Sequence, residues 1–99
     1  MRIRSVALAV ATALSISAAP LRAETQIQWW HSMDGALGEW VNDLATEFNA
    51  SQTEYKIVPT FKGTYDESMT AAIAAYRAGN APHILQVFEV GTATMMAAK

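Results

Sequence analysis

Residues 29–35 read WWHSMDG and crowd two tryptophans, a histidine and a methionine between a strand pattern and a helix pattern. Just before them, residues 25–30 (TQIQWW) alternate weakly and then turn bulky, as a buried strand does. The apolar side chains after them recur at helical spacing: Leu37, Trp40, Val41, Leu44 and Phe48. The stretch therefore predicts a strand followed by a helix over residues 36–49, with Asp34 as candidate N-cap.

The same alternation continues along the rest of the chain. Four further elements are predicted: a strand over residues 55–60, a helix over residues 66–78, a strand over residues 83–90 and a helix from Gly91 or Thr92. Gly79 with Asn80 stops the second helix, and Pro82 breaks the chain before the third strand. This order predicts an α/β fold, with a parallel sheet, right-handed crossovers and helices on its faces.

The N-terminal residues have the layout of a secretory signal peptide. Arg2 and Arg4 form a positive head, residues 6–14 are an apolar run too short for a membrane span, and small polar residues follow. Cleavage after Ala23 is expected, because cutting after Ala19 would place Pro20 just past the scissile bond. The alternative is a buried or membrane-anchoring helix. We expect residues 1–23 to be removed and the protein to reside in the periplasm.

The charge of the chain bears on its partners, and its lack of cysteine bears on whether it is tethered to a membrane. Residues 24–99 carry four Lys or Arg against nine Asp or Glu, a net charge of −5, and no basic cluster. This balance argues against nucleic acid and anionic membrane surfaces as partners. Without cysteine, the chain has neither disulfides nor a lipidated cysteine after the leader, so we expect it to be free rather than tethered.

The chain stops at Lys99 inside a helical pattern and is interpreted as the N-terminal piece of a longer protein. Three strands can bury only a marginal core. We therefore expect the 99-residue chain by itself to be partly unfolded or unstable after export.

A ligand site is expected beyond the carboxyl ends of the strands, where the strand order of an open α/β sheet reverses. His31, Ser32 and Met33 follow the first strand, Glu89 closes the predicted third strand, and Tyr65 precedes the second helix. If the first and third strands are neighbours, these groups share one crevice. A crevice lined by aromatic rings and a few polar groups suits a small hydroxylated ligand.

These residues also have simpler interpretations. Trp29 and Trp30 point to opposite faces of the strand, so at least one is expected in the core. His31 can be a loop histidine, and a metal site with Asp34 lacks a third ligand in reach. Glu89 follows the apolar run ILQVF and needs either solvent or a partner, because burying an unpaired carboxylate is costly.

Signatures of catalysis and of cofactor binding are missing from the sequence. It contains no G-x-S-x-G elbow, no P-loop, no G-x-G-x-x-G after the first strand and no H-E-x-x-H. Ser32 beside His31 is an adjacency that seldom gives the geometry of a triad. No enzyme activity and no cofactor are expected; the alternative is an exported α/β hydrolase whose catalytic parts lie beyond residue 99.

Longer motifs, over residues 30–99, resemble the periplasmic sn-glycerol-3-phosphate-binding proteins of ABC importers. The motifs are WHSM, YKIVPT, KG-Y, GNAP and ILQV-EVGTATMMA. GNAP marks the broad maltose-binding-protein-like group of extracellular solute-binding proteins, whereas EVGTATMMA is much more specific. Many sugar binders place Asp after the proline of GNAP, and His83 stands there in this chain.

The resemblance implies a periplasmic binding protein type II-like fold, with residues 24–99 forming the N-terminal portion of lobe 1. It also implies that Tyr65 and Glu89 line the ligand cleft. Glu89 would accept hydrogen bonds from the glycerol hydroxyls, and Tyr65 would add an aromatic wall and a hydroxyl donor. The groups that hold the phosphate in family members lie downstream of Lys99.

The resemblance also implies a transport mechanism and therefore the expected partners. Two lobes close on the ligand, and the closed form docks on membrane permease subunits that are driven by a separate ATPase. A monomer without nucleic acid, metal or membrane insertion after signal removal is expected. A binder of an oligosaccharide or of a glycerophosphodiester remains open, because it would keep the fold and change only the downstream residues.

Overall fold

A computed structural model of the chain describes residues 23–98. Except for Ala23, the predicted signal peptide lies outside the described residues. The elements follow in this order: β1 (Thr25–His31), α1 (Gly35–Ser51), β2 (Tyr55–Phe61), α2 (Tyr65–Arg77), β3 (Ile84–Leu85), a 3-10 helix (Glu89–Gly91) and α3 (Thr92–Ala97). The predicted alternation of strands and helices is confirmed.

The three strands form one parallel sheet with β1 in the centre, in the order β2-β1-β3. In the register of the sheet, His31 lies opposite Phe61, and Trp29 lies opposite both Pro59 and Ile84. The chain therefore moves one way along the sheet from β1 to β2 and the other way from β2 to β3. Since crossovers between parallel strands are right-handed as a rule, this change of direction is expected to place α1 and α2 on opposite faces. The α/β fold class and the pairing of the first strand with the third are confirmed.

Helix α1 starts within one residue of the predicted position, but without the expected side-chain hydrogen bond at its N-terminus. Asp34 occupies the N-cap position in an extended conformation, yet its side chain makes no capping hydrogen bond. Its backbone carbonyl instead accepts the Gly38 N–H at 3.1 Å. The next residue, Gly35, has φ +52°, a left-handed conformation that glycine adopts without strain. Asp34 is therefore the N-cap by position, as predicted, but its side chain does not cap the helix.

Helix α2 is closed by specific groups at both ends. The Thr64 hydroxyl accepts the Glu67 N–H at 3.2 Å and donates to the Glu67 carboxylate at 3.1 Å. At the other end, Gly79 has φ +81° and its N–H bonds the Tyr76 carbonyl. Together these bonds satisfy amide groups that a helix end would leave free. The predicted stop at Gly79 is confirmed.

The third strand is much shorter than the predicted range of residues 83–90. Backbone pairing to β1 runs only from the His83 N–H, which bonds the Gln28 carbonyl, to the Gln86 N–H, which bonds the Trp30 carbonyl. At the next step, the Ser32 N–H is taken by the side-chain oxygen of Gln86 at 2.9 Å. Because a side chain replaces the strand there, the backbone leaves the sheet. Glu89 begins the 3-10 helix rather than closing a strand.

A side-chain clamp joins α1 to the outer edge of β2. The Asn49 amide donates to the Ile57 carbonyl at 2.9 Å, and its oxygen accepts the Ile57 N–H at 2.7 Å. Both backbone groups of Ile57 point away from β1, so they would otherwise be open at the sheet edge. The clamp fixes the position of α1 and blocks pairing of this edge with another strand.

Replacing Asn49 with alanine is expected to lower the free energy of unfolding by about 1 to 3 kcal/mol, because two part-buried hydrogen bonds are lost together. The Ile57 amide should also exchange its hydrogen faster. Urea unfolding and amide exchange measure the two effects. Asn42→Ala, an exposed position on the same helix, is the control and should leave both values unchanged. Equal values for the two variants would contradict the clamp.

The described residues bury few large apolar side chains. The buried apolar residues are Val41, Ala45 and Ala72. Of the predicted apolar stripe of α1, only Val41 is buried, and its other four members are exposed. Trp29 and Trp30 are both half-buried. The expectation that this chain is unstable by itself stays a prediction, and the small core agrees with it.

Candidate functional site

The carboxyl ends of the three strands meet at one edge of the sheet. Because the strands are parallel, the loops after β1, β2 and β3 leave the sheet at this same edge. The Lys62 N–H extends the pairing of β1 and β2 by bonding the His31 carbonyl at 2.9 Å. We call this the carboxyl edge. It is the place where the sequence predicts the ligand crevice.

His31 is buried rather than open to the crevice. Only 2% of its surface is exposed, and its ring lies between those of Trp29 and Phe61, with centroids 6.0 and 6.1 Å away. Its Nδ1 atom accepts the Met33 N–H at 3.2 Å, which the neutral ring can do and the protonated ring cannot. Burial lowers the pKa of His31 below its ordinary value of 6.5. His31 therefore shapes the loop after β1 in its neutral form.

The fold should lose stability as the pH falls through the lowered pKa of His31. The unfolded chain, with an ordinary pKa, binds the proton first, so the stabilisation is complete above about pH 6.5 and disappears at lower pH. His31→Asn keeps an acceptor near the Nδ1 position but cannot titrate in this range. Unfolding free energies measured from pH 7.5 to 5 should therefore slope less in this variant. A slope in His31→Asn as steep as that of the parent would contradict the assignment.

The loops after β1 and β3 are tied together across the carboxyl edge. The Ser32 N–H donates to the side-chain oxygen of Gln86 at 2.9 Å, 54 positions away in sequence. Within residues 23–98 the Ser32 hydroxyl itself is buried and has no hydrogen-bond partner. Ser32 was predicted at this edge, but Gln86 was not, because it falls inside a predicted strand.

Tyr65 and Glu89 come from neighbouring elements at the carboxyl edge. Tyr65 is the first residue of α2, and its ring stacks on Phe88 with centroids 5.1 Å apart and planes tilted by 24°. Phe88 directly precedes Glu89, whose side chain is exposed. The stack therefore brings the predicted aromatic wall beside the predicted carboxylate. Phe88, which makes this link, was not singled out from the sequence.

Close packing holds the Phe88 ring in this position. Gly91 is buried, and a Cβ atom built on it would lie 3.0 Å from the Phe88 ring and 3.4 Å from the Met69 sulfur. A larger residue at position 91 would therefore push Phe88 away from Tyr65. The 3-10 helix is held against α2 by this contact, which fixes where Glu89 emerges.

A positive charge also lies near the carboxyl edge. The Lys62 ammonium sits 4.0 Å from the centroid of the Trp30 ring, a cation–π contact. Trp30 ends the sheet pairing with β3, and Lys62 starts the loop to α2. In the sequence, Lys62 drew attention only as part of the KG-Y motif. The edge thus carries a cation, a carboxylate and aromatic rings.

Of the grooves in the described residues, two lie beside the helices, and neither is lined by Tyr65 or Glu89. One, of about 250 Å³, is apolar and lies between α2 and α3, beside Ile73 and Met95. The other is polar, of about 430 Å³, and runs between the start of α1 and β2, beside His31 and Asp34. Tyr65 and Glu89 therefore lie at an open edge of the sheet, outside both of these grooves.

Neither a metal cluster nor a membrane-spanning helix is found in the described range. Within residues 23–98 no group of three or more His, Cys, Asp or Glu side chains is placed to hold a metal ion. In the same part of the chain, no helix has the length and hydrophobicity needed to cross a bilayer.

The arrangement defines a class of protein. A parallel α/β sheet whose central strand separates two crossovers presents its loops at a switch point, where such folds bind small ligands. An exposed carboxylate accepts hydrogen bonds from hydroxyl groups, and an aromatic face packs against carbon atoms. This fold and this edge are typical of α/β domains that bind small molecules.

Comparison with known proteins finds closely similar periplasmic binding proteins in several bacteria. The sn-glycerol-3-phosphate-binding periplasmic protein UgpB of Pectobacterium atrosepticum is 59% identical over 97 residues, which are 98% of this chain and 21% of the relative. The proteins of the same name from Yersinia enterocolitica and Escherichia coli are 57% and 56% identical, over 98% and 100% of this chain and 22% of each relative. No protein-family model matches.

This chain is thus homologous along its whole length to sn-glycerol-3-phosphate-binding periplasmic proteins. The resemblance seen in the sequence is confirmed. The chain spans about a fifth of the length of the curated relatives that it matches. Those relatives are named as binding proteins and as periplasmic proteins.

Proposed function

We propose that the protein captures sn-glycerol 3-phosphate in the periplasm and delivers it to an ABC importer. The observation that carries the proposal is the identity of 56–59% over the chain to three proteins that are each named for this ligand. The edge chemistry supports it, because a carboxylate, a cation and aromatic rings suit a ligand with two hydroxyls and a phosphate. Glycerophosphodiesters share these features and remain within the proposed ligand class.

Within this proposal, residues 24–99 form the N-terminal portion of lobe 1 of a two-lobed protein, and residues 1–23 are the signal peptide that directs export. Tyr65 and Glu89 form one wall of the cleft between the lobes. The open geometry of their edge supports this role, because a second lobe would supply the opposite wall. Closure of two lobes buries the ligand, which one wall cannot do.

Glu89 has the role of reading the hydroxyl end of the ligand. A carboxylate accepts charge-assisted hydrogen bonds from two hydroxyls and repels a phosphate, so it orients the molecule. Tyr65, held by its stack on Phe88, packs against the glycerol carbons and offers a hydroxyl donor. The protein does no chemistry on the ligand and is not an enzyme. Permease subunits receive the closed form, and a separate ATPase supplies the energy.

The proposal is tested in a chimera in which this chain replaces the matched segment of the Pectobacterium atrosepticum relative. Calorimetry would be run with sn-glycerol 3-phosphate, a glycerophosphodiester and maltose. We expect a Kd of micromolar or tighter for the first, about 8 kcal/mol of binding free energy. Binding of maltose alone would replace the ligand and keep the class of binding protein. Heat from none of the three would overturn the proposed function.

A further inference from the structure

The ring of Phe88 contacts two elements at once. It stacks on the Tyr65 ring of helix α2, with centroids 5.1 Å apart and planes tilted by 24°. It also lies against Gly91 of its own 3-10 helix, where an added Cβ atom would come within 3.0 Å of the ring. Phe88 is half-buried, so these contacts hold its ring in a defined place. The ring therefore joins the start of α2 to the turn that carries Glu89.

The backbone of this turn sets the place of Glu89. The Glu89 side chain is exposed, and within residues 23–98 no hydrogen bond or ion pair holds its carboxylate. In the backbone, the Gly91 N–H bonds the Phe88 carbonyl at 2.9 Å, and the Thr92 N–H bonds the Glu89 carbonyl. Where the carboxylate stands therefore depends on how the turn itself is held.

The segment that leads into the turn is tied on two sides. On the side of the sheet, the Gln86 side chain accepts the Ser32 N–H at 2.9 Å. On the side of α2, the Phe88 ring makes the tie through its stack on Tyr65. Loss of the ring should release the turn from α2 and leave the tie to the loop after β1 intact. The consequence is then local, because the turn shifts while the sheet stays paired.

From these contacts we propose that Phe88 is a positioning residue for ligand binding, which fixes the spacing between the Tyr65 ring and the Glu89 carboxylate. The inference deepens the proposed function and rests on it, because the ligand contacts of Tyr65 and Glu89 belong to that proposal. Two groups from different elements hold a small ligand together best when their spacing is preset, since binding must otherwise supply the ordering free energy. With its ring against Tyr65 and Gly91, Phe88 acts through Tyr65 and Glu89 rather than on the ligand.

In the chimera described above, Phe88→Leu is expected to weaken binding of sn-glycerol 3-phosphate about 3- to 10-fold, because the aromatic pair that orients Tyr65 is lost. Leucine stays apolar but cannot stack. Phe88→Tyr keeps the ring and should bind within about 2-fold of the parent. Val87→Ala, the matched control, changes the adjacent apolar residue and should leave the affinity unchanged. Calorimetry compares these variants with the parent.

Double-mutant cycles separate positioning from a general loss of stability. Once Tyr65→Ala or Glu89→Gln has removed one of the two ligand contacts, no spacing is left to fix, so Phe88→Leu should cost less than about 2-fold in either background. A general loss of stability would act alike in every background, and the losses would then be additive. Additive losses in either background would overturn the inference, as would a Phe88→Leu chimera that binds like its parent.

The position of the Tyr65 ring can also be measured without ligand. An aromatic ring shifts the NMR resonances of a ring stacked on it, so in a chimera with isotope-labelled tyrosine, Phe88→Leu should move the Tyr65 ring signals and Phe88→Tyr should hold them. Unmoved signals in Phe88→Leu would overturn the inference. A parent chimera that binds no ligand would overturn the proposed function, and the Tyr65 signals would still decide whether Phe88 positions the ring. Should the Phe88→Leu chimera not fold, Gly91→Ala, which keeps the Phe88 ring and displaces it, serves in the same tests.

Discussion

The chimera with Glu89→Gln is expected to bind sn-glycerol 3-phosphate about 10 to 150 times more weakly than its parent, a loss of about 1.5 to 3 kcal/mol. The exchange keeps the size of the side chain and removes its charge. One amide oxygen can still accept a hydrogen bond, but charge-assisted bonds to two hydroxyls are lost. Calorimetry measures the loss directly.

Folding should not change in this variant, because Glu89 is exposed and only its side chain is altered. Its Tm should stay within about 1 to 2 °C of the parent value. Glu54→Gln, a carboxylate before β2 at the other edge of the sheet, is the matched control and should bind normally. If the Glu89 and Glu54 variants bind equally well, Glu89 does not contact the ligand.

Gly38→Ala is expected to lower the free energy of unfolding by about 1 to 3 kcal/mol. A Cβ atom at this position would lie 2.8 Å from the Met33 carbonyl oxygen, which is backbone and cannot rotate away. Alanine favours a helix by about 1 kcal/mol over glycine, so the steric cost must exceed that gain. Urea unfolding of the chimera measures the net effect.

The strain should also reach the carboxyl edge. Met33 donates its N–H to His31, and the adjacent Ser32 N–H bonds Gln86, so a displaced Met33 disturbs both links. Asn42→Ala is the control, because it makes the helix more alanine-rich at an exposed position. A Gly38→Ala chimera as stable as the Asn42→Ala chimera would show that the start of α1 can move without cost.

The local elements of the fold could be predicted from the sequence because their signals are local. Helices α1 and α2 lie within two residues of the predicted ranges, since apolar spacing and the glycine at position 79 act through the nearest turns. The first two strands end one residue later than predicted. These elements depend on residues close in the chain.

The third strand could not be predicted correctly from local signals. ILQVF has the composition of a strand, but whether it pairs depends on β1, more than fifty positions away. The Gln86 side chain takes the Ser32 N–H, and the backbone turns into the 3-10 helix. A competition between a side chain and a backbone for one distant donor leaves no mark on composition or periodicity.

The candidate site, too, could be predicted only in part from the sequence. Residue types and the order of elements were enough to place Tyr65 and Glu89 at the carboxyl edge of the sheet, and their role in binding stays a prediction. The stack of Tyr65 on Phe88, the burial of His31 and the contact of Lys62 with Trp30 are long-range contacts. They depend on how loops from different strands pack at one edge.

By itself, the sequence determined the α/β class, the order of the elements, the turns at their ends and the resemblance to periplasmic binding proteins, because periodicity, turn residues and motifs are properties of short segments. Only the tertiary structure decided the strand order with β1 in the centre, the length of β3 and which side of α1 is buried. The physical reason is seen on α1, where five apolar residues have the spacing of a buried face, but the sheet buries only Val41 and leaves the other four exposed. Burial depends on what packs against a face, and that partner is set by the fold.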